Sequence, residues 1–281
     1  MEKILVTTQE LAEHLDDPRW VVFDVRHDLS DVGRGRRSYA AGHVPGAYFL
    51  HLDEDLSGPK DGKNGRHPLP EVGAFARRMN ERGVGADTQV VVYDDASGCY
   101  AVRLWWMLRW LGHERVAILD GGYPHWVRER RPIDTKVPPP RAGDFTPRAN
   151  AEASVDVHYV ERTRDDATVM LIDARAPERY SGKIEPLDPV AGHVPGAVNR
   201  FWQENLRDDG HMKPAHELQE EYRQVLGEAS PAQVVHMCGS GVTACHNLFA
   251  MTLAGLPGGR LYPGSWSEWC ADRARPVARG D

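Results

Sequence analysis

Seven consecutive residues occur twice in this chain: Ala41-Gly42-His43-Val44-Pro45-Gly46-Ala47 returns unchanged at 191–197, an offset of 150 positions. An exact repeat of that length constrains the architecture before any element is assigned, because each copy has to be one folding unit. The echo continues on both sides. Upstream, Trp20-Val21-Val22-Phe23-Asp24-Val25-Arg26 matches Val169-Met170-Leu171-Ile172-Asp173-Ala174-Arg175, two apolar runs that close on Asp-x-Arg. Downstream, Gln89-Val90-Val91-Val92-Tyr93-Asp94 answers Gln233-Val234-Val235-His236-Met237-Cys238. Ile118-Leu119-Asp120-Gly121-Gly122 aligns with Arg260-Leu261-Tyr262-Pro263-Gly264.

The short apolar runs read as buried strands, and helical patterns separate them at 8–15, 72–82, 100–111 and 244–254. Strand and helix alternate, which predicts an α/β fold of two tandem domains, each a mainly parallel sheet with helices on both faces. Trp105, Trp106 and Trp110 on the 100–111 pattern read as core. The proline-rich stretch 137–147 suits neither a helix nor a central strand and reads as an extended linker. The expected organisation is a first domain at 1–136, a linker at 137–152 and a second domain at 153–281.

Duplication also sorts the polar residues. A group needed once for chemistry has no reason to recur, whereas a turn or a buried ion pair does. Asp24, Arg26, Asp173 and Arg175 therefore read as structural ion pairs, and His43 and His193 as turn histidines.

Cys238 has no counterpart thiol, since the first copy carries Asp94 at the matching place. Free cysteine is usually a small buried hydrophobe, and Cys99, Cys245 and Cys270 are read that way. Cys238 differs because it ends a strand and opens Cys238-Gly239-Ser240-Gly241-Val242-Thr243 before a helix. In a parallel sheet that turn lies at the carboxyl edge, where ligands bind and a helix N-terminus presents free amides. Two glycines let those amides curl into an anion-binding nest, which favours a thiolate and cradles an anionic substrate.

Composition narrows the partners. A net charge of -7 without a basic stripe argues against nucleic acid and anionic membranes, so an anionic substrate must be held by local groups. Met1-Glu2-Lys3-Ile4-Leu5-Val6 shows no signal-peptide pattern, and no apolar run approaches the ~18 residues of a membrane span. A cytoplasmic monomer is expected. Four cysteines without a Cys-x-x-Cys pair fit reduced thiols, with no metal site and no cofactor.

Together these residues resemble the two-domain rhodanese superfamily of sulfurtransferases over nearly the whole chain. The loop from Cys238 to Ala244 is similar to that of 3-mercaptopyruvate sulfurtransferases, whereas strict thiosulfate sulfurtransferases tend to carry basic residues where this chain has Gly239 and Ser240. The resemblance implies an inactive N-terminal copy, Cys238 as sulfur carrier, and Ser240, His67 and Asp53 as a proton-handling set. It also implies Arg179 as a binder of the substrate carboxylate or sulfonate, Tyr100 as a pocket-lining residue, and the loop residues Gly239, Gly241, Val242 and Thr243 as the cradle. His67 and Asp53 lie in the irregular stretch 52–70, a length of loop that is often functional. One departure stands out: where that branch commonly has a second arginine after Glu-Pro, this chain has Glu185-Pro186-Leu187. This departure counts against carboxylate recognition by two guanidiniums, for which another cation, Lys183 by its nearness in sequence, could compensate.

The implied reaction is a two-step transfer from a small anionic sulfur donor to Cys238, giving a persulfide, and then to a thiol (thioredoxin-like or small) or cyanide. Mercaptopyruvate leaves pyruvate enolate, which needs a proton, while thiosulfate leaves sulfite, which needs positive charge. The neutral Gly239-Ser240 pair favours mercaptopyruvate, with thiosulfate as the alternative. Two other classes share the layout. A cysteine phosphatase needs an arginine about six residues after the cysteine to clamp phosphate, where this chain has Ala244. A non-catalytic persulfide or redox-sensing module would keep Cys238 without turnover.

Overall fold

The computed structural model describes residues 3–280, which divide into two compact units. The first comprises residues 3–58, 70–150 and 208–211, and the second residues 59–69, 151–207 and 212–280. The first unit contains β1 (Leu5–Val6), α1 (Thr8–Glu13), β2 (Trp20–Asp24), α2 (Arg34–Ala41), β3 (Tyr48–Phe49), α3 (Val72–Asn80), β4 (Gln89–Tyr93), α4 (Ala101–Trp110), β5 (Val116–Leu119) and α5 (Gly122–Arg128). The second contains α6 (Val157–Thr163), β6 (Met170–Asp173), α7 (Pro177–Tyr180), β7 (Val198–Asn199), α8 (Ala215–Leu226), β8 (Val234–Met237), α9 (Ala244–Leu253), β9 (Arg260–Leu261) and α10 (Ser265–Trp269).

Each unit holds one wholly parallel sheet, ordered β1-β5-β4-β2-β3 in the first and β7-β6-β8-β9 in the second. The central strands are covered on both faces, which is why they read as continuous apolar runs. Val90, Val91 and Val92 are fully buried, as are Val234, Val235 and Met237. His236 interrupts the second run. Burial alone drives its pKa down to about 3, and neither ring nitrogen has a hydrogen-bond partner, so it is a neutral ring inside the core. The helix N-termini are closed locally where the sequence allows: Thr7 caps α1 through Glu10 N–H, and Asp156 caps α6 through Tyr159 N–H. Trp105 and Trp106 of α4 are core residues.

The repeated heptapeptide is a clasp. His43 stacks on Tyr39 with centroids 3.8 Å apart, and His193 stacks on Tyr180 at 3.8 Å. Each histidine Nδ1 lies 2.8 Å from the carbonyl of its stacked tyrosine, and each tyrosine hydroxyl donates to the closing alanine, Tyr39 to Ala47 and Tyr180 to Ala197. Arg26 donates to Gly42 O while paired with Asp24, and Arg175 donates to Gly192 O while paired with Asp173. Removing either partner of such a buried pair strands a charge, so the set is kept whole in both copies.

Register corrects one alignment. Val92 pairs with Ile118 and His236 with Leu261, so Ile118 matches Leu261 rather than Arg260. Gly122 therefore corresponds to Ser265, one residue beyond the match suggested by the glycines.

Candidate active site

Asp94 and Cys238 each follow the last residue of a central strand, since Asp24 pairs with Tyr93 and Asp173 with Met237. In the first unit the loop after that strand closes on the carboxylate. Oδ1 accepts from Ala96 N–H at 2.8 Å and Gly98 N–H at 2.9 Å, and Oδ2 from Tyr100 N–H at 2.8 Å and Ala101 N–H at 2.9 Å. Burial raises the Asp94 pKa and these four amides pull against it. The loop is an anion nest, and its anion is covalently attached.

In the second unit the same offset brings Ser240 N–H to 3.4 Å from Cys238 Sγ, a donor that stabilises negative charge on sulfur. Cys238 is buried, 2 % exposed. Its own amide donates to Ser265 Oγ at 3.1 Å, and its carbonyl accepts from Trp266 N–H at 3.0 Å. Ser265 adopts a left-handed backbone, φ 53, which a non-glycine residue resists. The matching Gly122 has φ 57. At Ser265 the hydroxyl that holds the Cys238 amide offsets the strain. Gly241 also needs its missing side chain, because φ is +73 and a Cβ would stand 2.3 Å from Pro263 O. From Ala244 the chain enters α9, whose positive dipole end lies next to the loop.

Ser240 Oγ and His67 Nδ1 share a hydrogen bond of 2.7 Å, with its direction following the imidazole tautomer. Both side chains are buried. His67 is thus no solvated loop residue: the segment Pro59–Leu69 belongs to the second unit. Gly65, at φ +83, approaches Gly264 so closely that a Cβ would lie 2.8 Å from its carbonyl oxygen, and Arg66 N–H donates to Ser267 Oγ at 2.9 Å.

Arg179, at the end of α7, donates through Nη2 to Glu185 at 2.7 Å and to Asp188 at 3.3 Å. Arg66 shares Asp188 through Nη1. Burial raises the Asp188 carboxyl, with Arg66 acting against it. Arg175, deeper in the cluster, has a raised pKa despite its burial, sustained by Asp173, Glu185 and Cys238.

Cys238, Gly239, Ser240, Gly241, Val242, Thr243, His67 and Arg179 all fall in the second unit, and Asp53 and Tyr100 in the first. There Asp53 Oδ2 lies 3.8 Å from His27 Nε2, and the ring of Tyr100 meets that of His27 edge-on at 5.3 Å. Burial raises the Tyr100 hydroxyl beyond the ordinary phenol range. Asp53 N–H donates to His51 Nδ1 at 3.2 Å, and His51 Nε2 lies 2.8 Å from Val32 O. Sequence reasoning missed Arg66 and Ser265. The first is adjacent to His67, and the second is the one-residue register partner of a glycine.

The family model for the rhodanese-like domain matches residues 7–129 and 156–272. The probable 3-mercaptopyruvate sulfurtransferase of Pseudomonas aeruginosa is 43% identical over 279 residues, 99% of this chain and 98% of that one. The putative thiosulfate sulfurtransferase SseB of Mycobacterium tuberculosis is 37% identical over 281 residues, again 99% and 98% of the two chains. Among solved structures, SseA from Escherichia coli, described as a 3-mercaptopyruvate sulfotransferase, is 34% identical with a TM-score of 0.81. It covers 94% of this chain and 99% of its own.

Proposed function

This chain belongs to the rhodanese-like family, and from that membership we propose a sulfurtransferase that moves sulfur from 3-mercaptopyruvate through a Cys238 persulfide to a thiol or cyanide. One observation carries the choice of donor: Cys238 Sγ accepts from the Ser240 amide, while the Ser240 hydroxyl is hydrogen-bonded to His67. Nucleophile and proton source sit two residues apart on one loop.

In the first step the thiolate of Cys238 attacks the donor's sulfur, and the S–S bond forms as the carbon–sulfur bond breaks. The bonding pair leaves on carbon as pyruvate enolate, and the proton it needs comes from Ser240, replenished through His67. The donor's thiol proton stays with the transferred sulfur or is lost to solvent. In the second step an acceptor thiolate or cyanide attacks the outer sulfur, releasing a new persulfide or thiocyanate and restoring Cys238. The amides of the loop and the start of α9 oppose the charge that develops. Arg179 is the group proposed for the donor's carboxylate. For Asp53 the family resemblance suggests orientation of His67, and for Tyr100 contact with the donor.

Thiosulfate is the second reading, favoured by the guanidiniums of Arg66 and Arg179 beside Gly239, which suit a departing sulfite dianion. Steady-state rates with each donor, with pyruvate and sulfite measured separately, distinguish the two. Mercaptopyruvate should give the larger kcat/KM, and a larger value for thiosulfate would overturn the donor assignment. Ser240→Ala should lower mercaptopyruvate turnover by about 10²-fold and spare thiosulfate. Equal losses would show that Ser240 shapes the loop without donating a proton.

A further inference from the structure

Two guanidiniums converge on the bare backbone of Gly239. A Cβ placed there would stand 3.0 Å from Arg66 Nη2 and 3.4 Å from Arg179 Nη1. Arg179 matches an arginine already expected to bind the donor, whereas Arg66 has no such role. The place where a second arginine is expected holds Leu187, whose side chain is exposed, and Lys183 is exposed as well.

The hydrogen bonding of the pair is one-sided. Asp188 engages Nη1 of Arg66, and Glu185 and Asp188 both engage Nη2 of Arg179. The Nε atoms of both arginines are buried without an acceptor. In a guanidinium, Nε and Nη2 form the side-on fork that grips a carboxylate through two parallel bonds. In Arg66 that fork is the edge the protein leaves unused. A buried donor without an acceptor loses its hydration with nothing in return, so two of them next to the reactive loop mark a place where an acceptor belongs.

The backbone holds Arg66 firmly. Its amide is tied to Ser267, the preceding Gly65 lies against Gly264, and the following His67 is bonded to Ser240. Resting on the mercaptopyruvate reading, we propose that Arg66 is the second guanidinium for the donor's carboxylate, pairing with Arg179 across Gly239 and replacing the arginine absent at Leu187. Gly65-Arg66-His67 then delivers both the carboxylate clamp and the proton relay, and donor selection by carboxylate is fixed by the same tripeptide that serves the leaving group.

The test compares 3-mercaptopyruvate with 1-mercaptopropan-2-one, the same thiol ketone without the carboxylate, in the full-length wild type, Arg66→Met and Arg66→Lys, with cyanide as acceptor. In Arg66→Met the ratio of kcat/KM, acid over ketone, should fall about 10- to 100-fold, as expected for one lost charge-assisted clamp. The loss should lie mainly in KM, and the inhibition constant of pyruvate should rise in parallel. Arg66→Lys should recover part of the ratio, because it restores charge without the fork. An unchanged ratio with both donors slowed alike would overturn the proposal and make Arg66 a positioning residue for Asp188 and His67. A wild type that turns over thiosulfate but not mercaptopyruvate would overturn the donor assignment itself, a result read before any variant is made.

Discussion

Replacing Asp94 with alanine should destabilise the first unit strongly, because the carboxylate is the common acceptor for four amides at 2.8–2.9 Å, three of them buried and the fourth part-buried. Each donor left without an acceptor costs about 1–3 kcal/mol, giving a gross loss near 4–12 kcal/mol. Two effects bring it to the low end. The desolvation that raises the Asp94 pKa is recovered when the carboxylate goes, and the vacated space is polar enough to admit water. A loss of about 4 kcal/mol remains, or roughly 10 °C in Tm for a unit of this size. Urea and thermal unfolding measure it directly. The reasoning makes a second demand: a free anion should occupy the emptied nest. Sulfate should therefore narrow the gap between wild type and Asp94→Ala beyond its general effect on both proteins. A gap below about 1 kcal/mol, or one indifferent to sulfate, would refute the view of this loop as an anion site filled from within.

Two glycines of the reactive loop should behave differently. Gly241→Ala meets both a left-handed backbone and the Pro263 carbonyl at 2.3 Å, a conflict of about 3 kcal/mol or more, visible as reduced Tm. Gly239→Ala meets only the flexible ends of Arg66 and Arg179, so Tm should stay near wild type while KM for mercaptopyruvate rises; the reverse pattern would contradict the geometry. His236 should make the second unit acid-labile. Its folded pKa, about 3, lies below the ordinary ~6.5, so between those values the unfolded chain binds a proton that the native state refuses. Its contribution is complete above the upper value and declines as pH falls, by about 2 kcal/mol at pH 5 relative to neutrality. His236→Phe should flatten that part of the stability-against-pH curve, and an unchanged slope would place the acid sensitivity elsewhere.

How much of this was legible in the sequence depended on how local the signal was. The heptapeptide and the Asp-x-Arg strands were readable because their partners lie within one supersecondary unit: Arg26 closes on Gly42 and Arg175 on Gly192. The thiol at Cys238 was readable for the same reason, as a strand end with glycines before a helix. Ser265 was not. Glycine invites alignment with glycine, yet strand register pairs Gly122 with a serine that tolerates the left-handed backbone by bonding to the Cys238 amide. His67 reaches Ser240 across 173 residues, a contact that no periodicity encodes, and only the resemblance to a family singled it out. Arg66 lacked even that. An arginine in an irregular loop reads as solvated, and its neighbour His67 and the vacancy at Leu187 were the available hints.

The two copies also explain why a sulfur carrier needs only one thiol. In the first unit the nest is saturated by an anion that cannot leave, since Asp94 reaches its amides through Cβ, Cγ and Oδ. Cysteine is one atom shorter. Its Sγ meets the Ser240 amide at 3.4 Å, and a second sulfur would extend the side chain to the length at which Asp94 gathers the amides at offsets of two, four, six and seven residues. On the persulfide reading, the Asp94 loop is the anion-filled counterpart of the Cys238 loop but not its copy: α9 starts one residue earlier after Cys238 than α4 does after Asp94, and the Cys245 amide at offset seven donates to Val242 O at 3.1 Å. It also fixes the energetics: a nest that stabilises the loaded anion too well would hold sulfur as firmly as the first unit holds its carboxylate, and transfer would stop after one step. Turnover requires that the outer sulfur gain fewer or longer hydrogen bonds than Asp94 does, because only interactions stronger in the transition state than in the intermediate accelerate its departure.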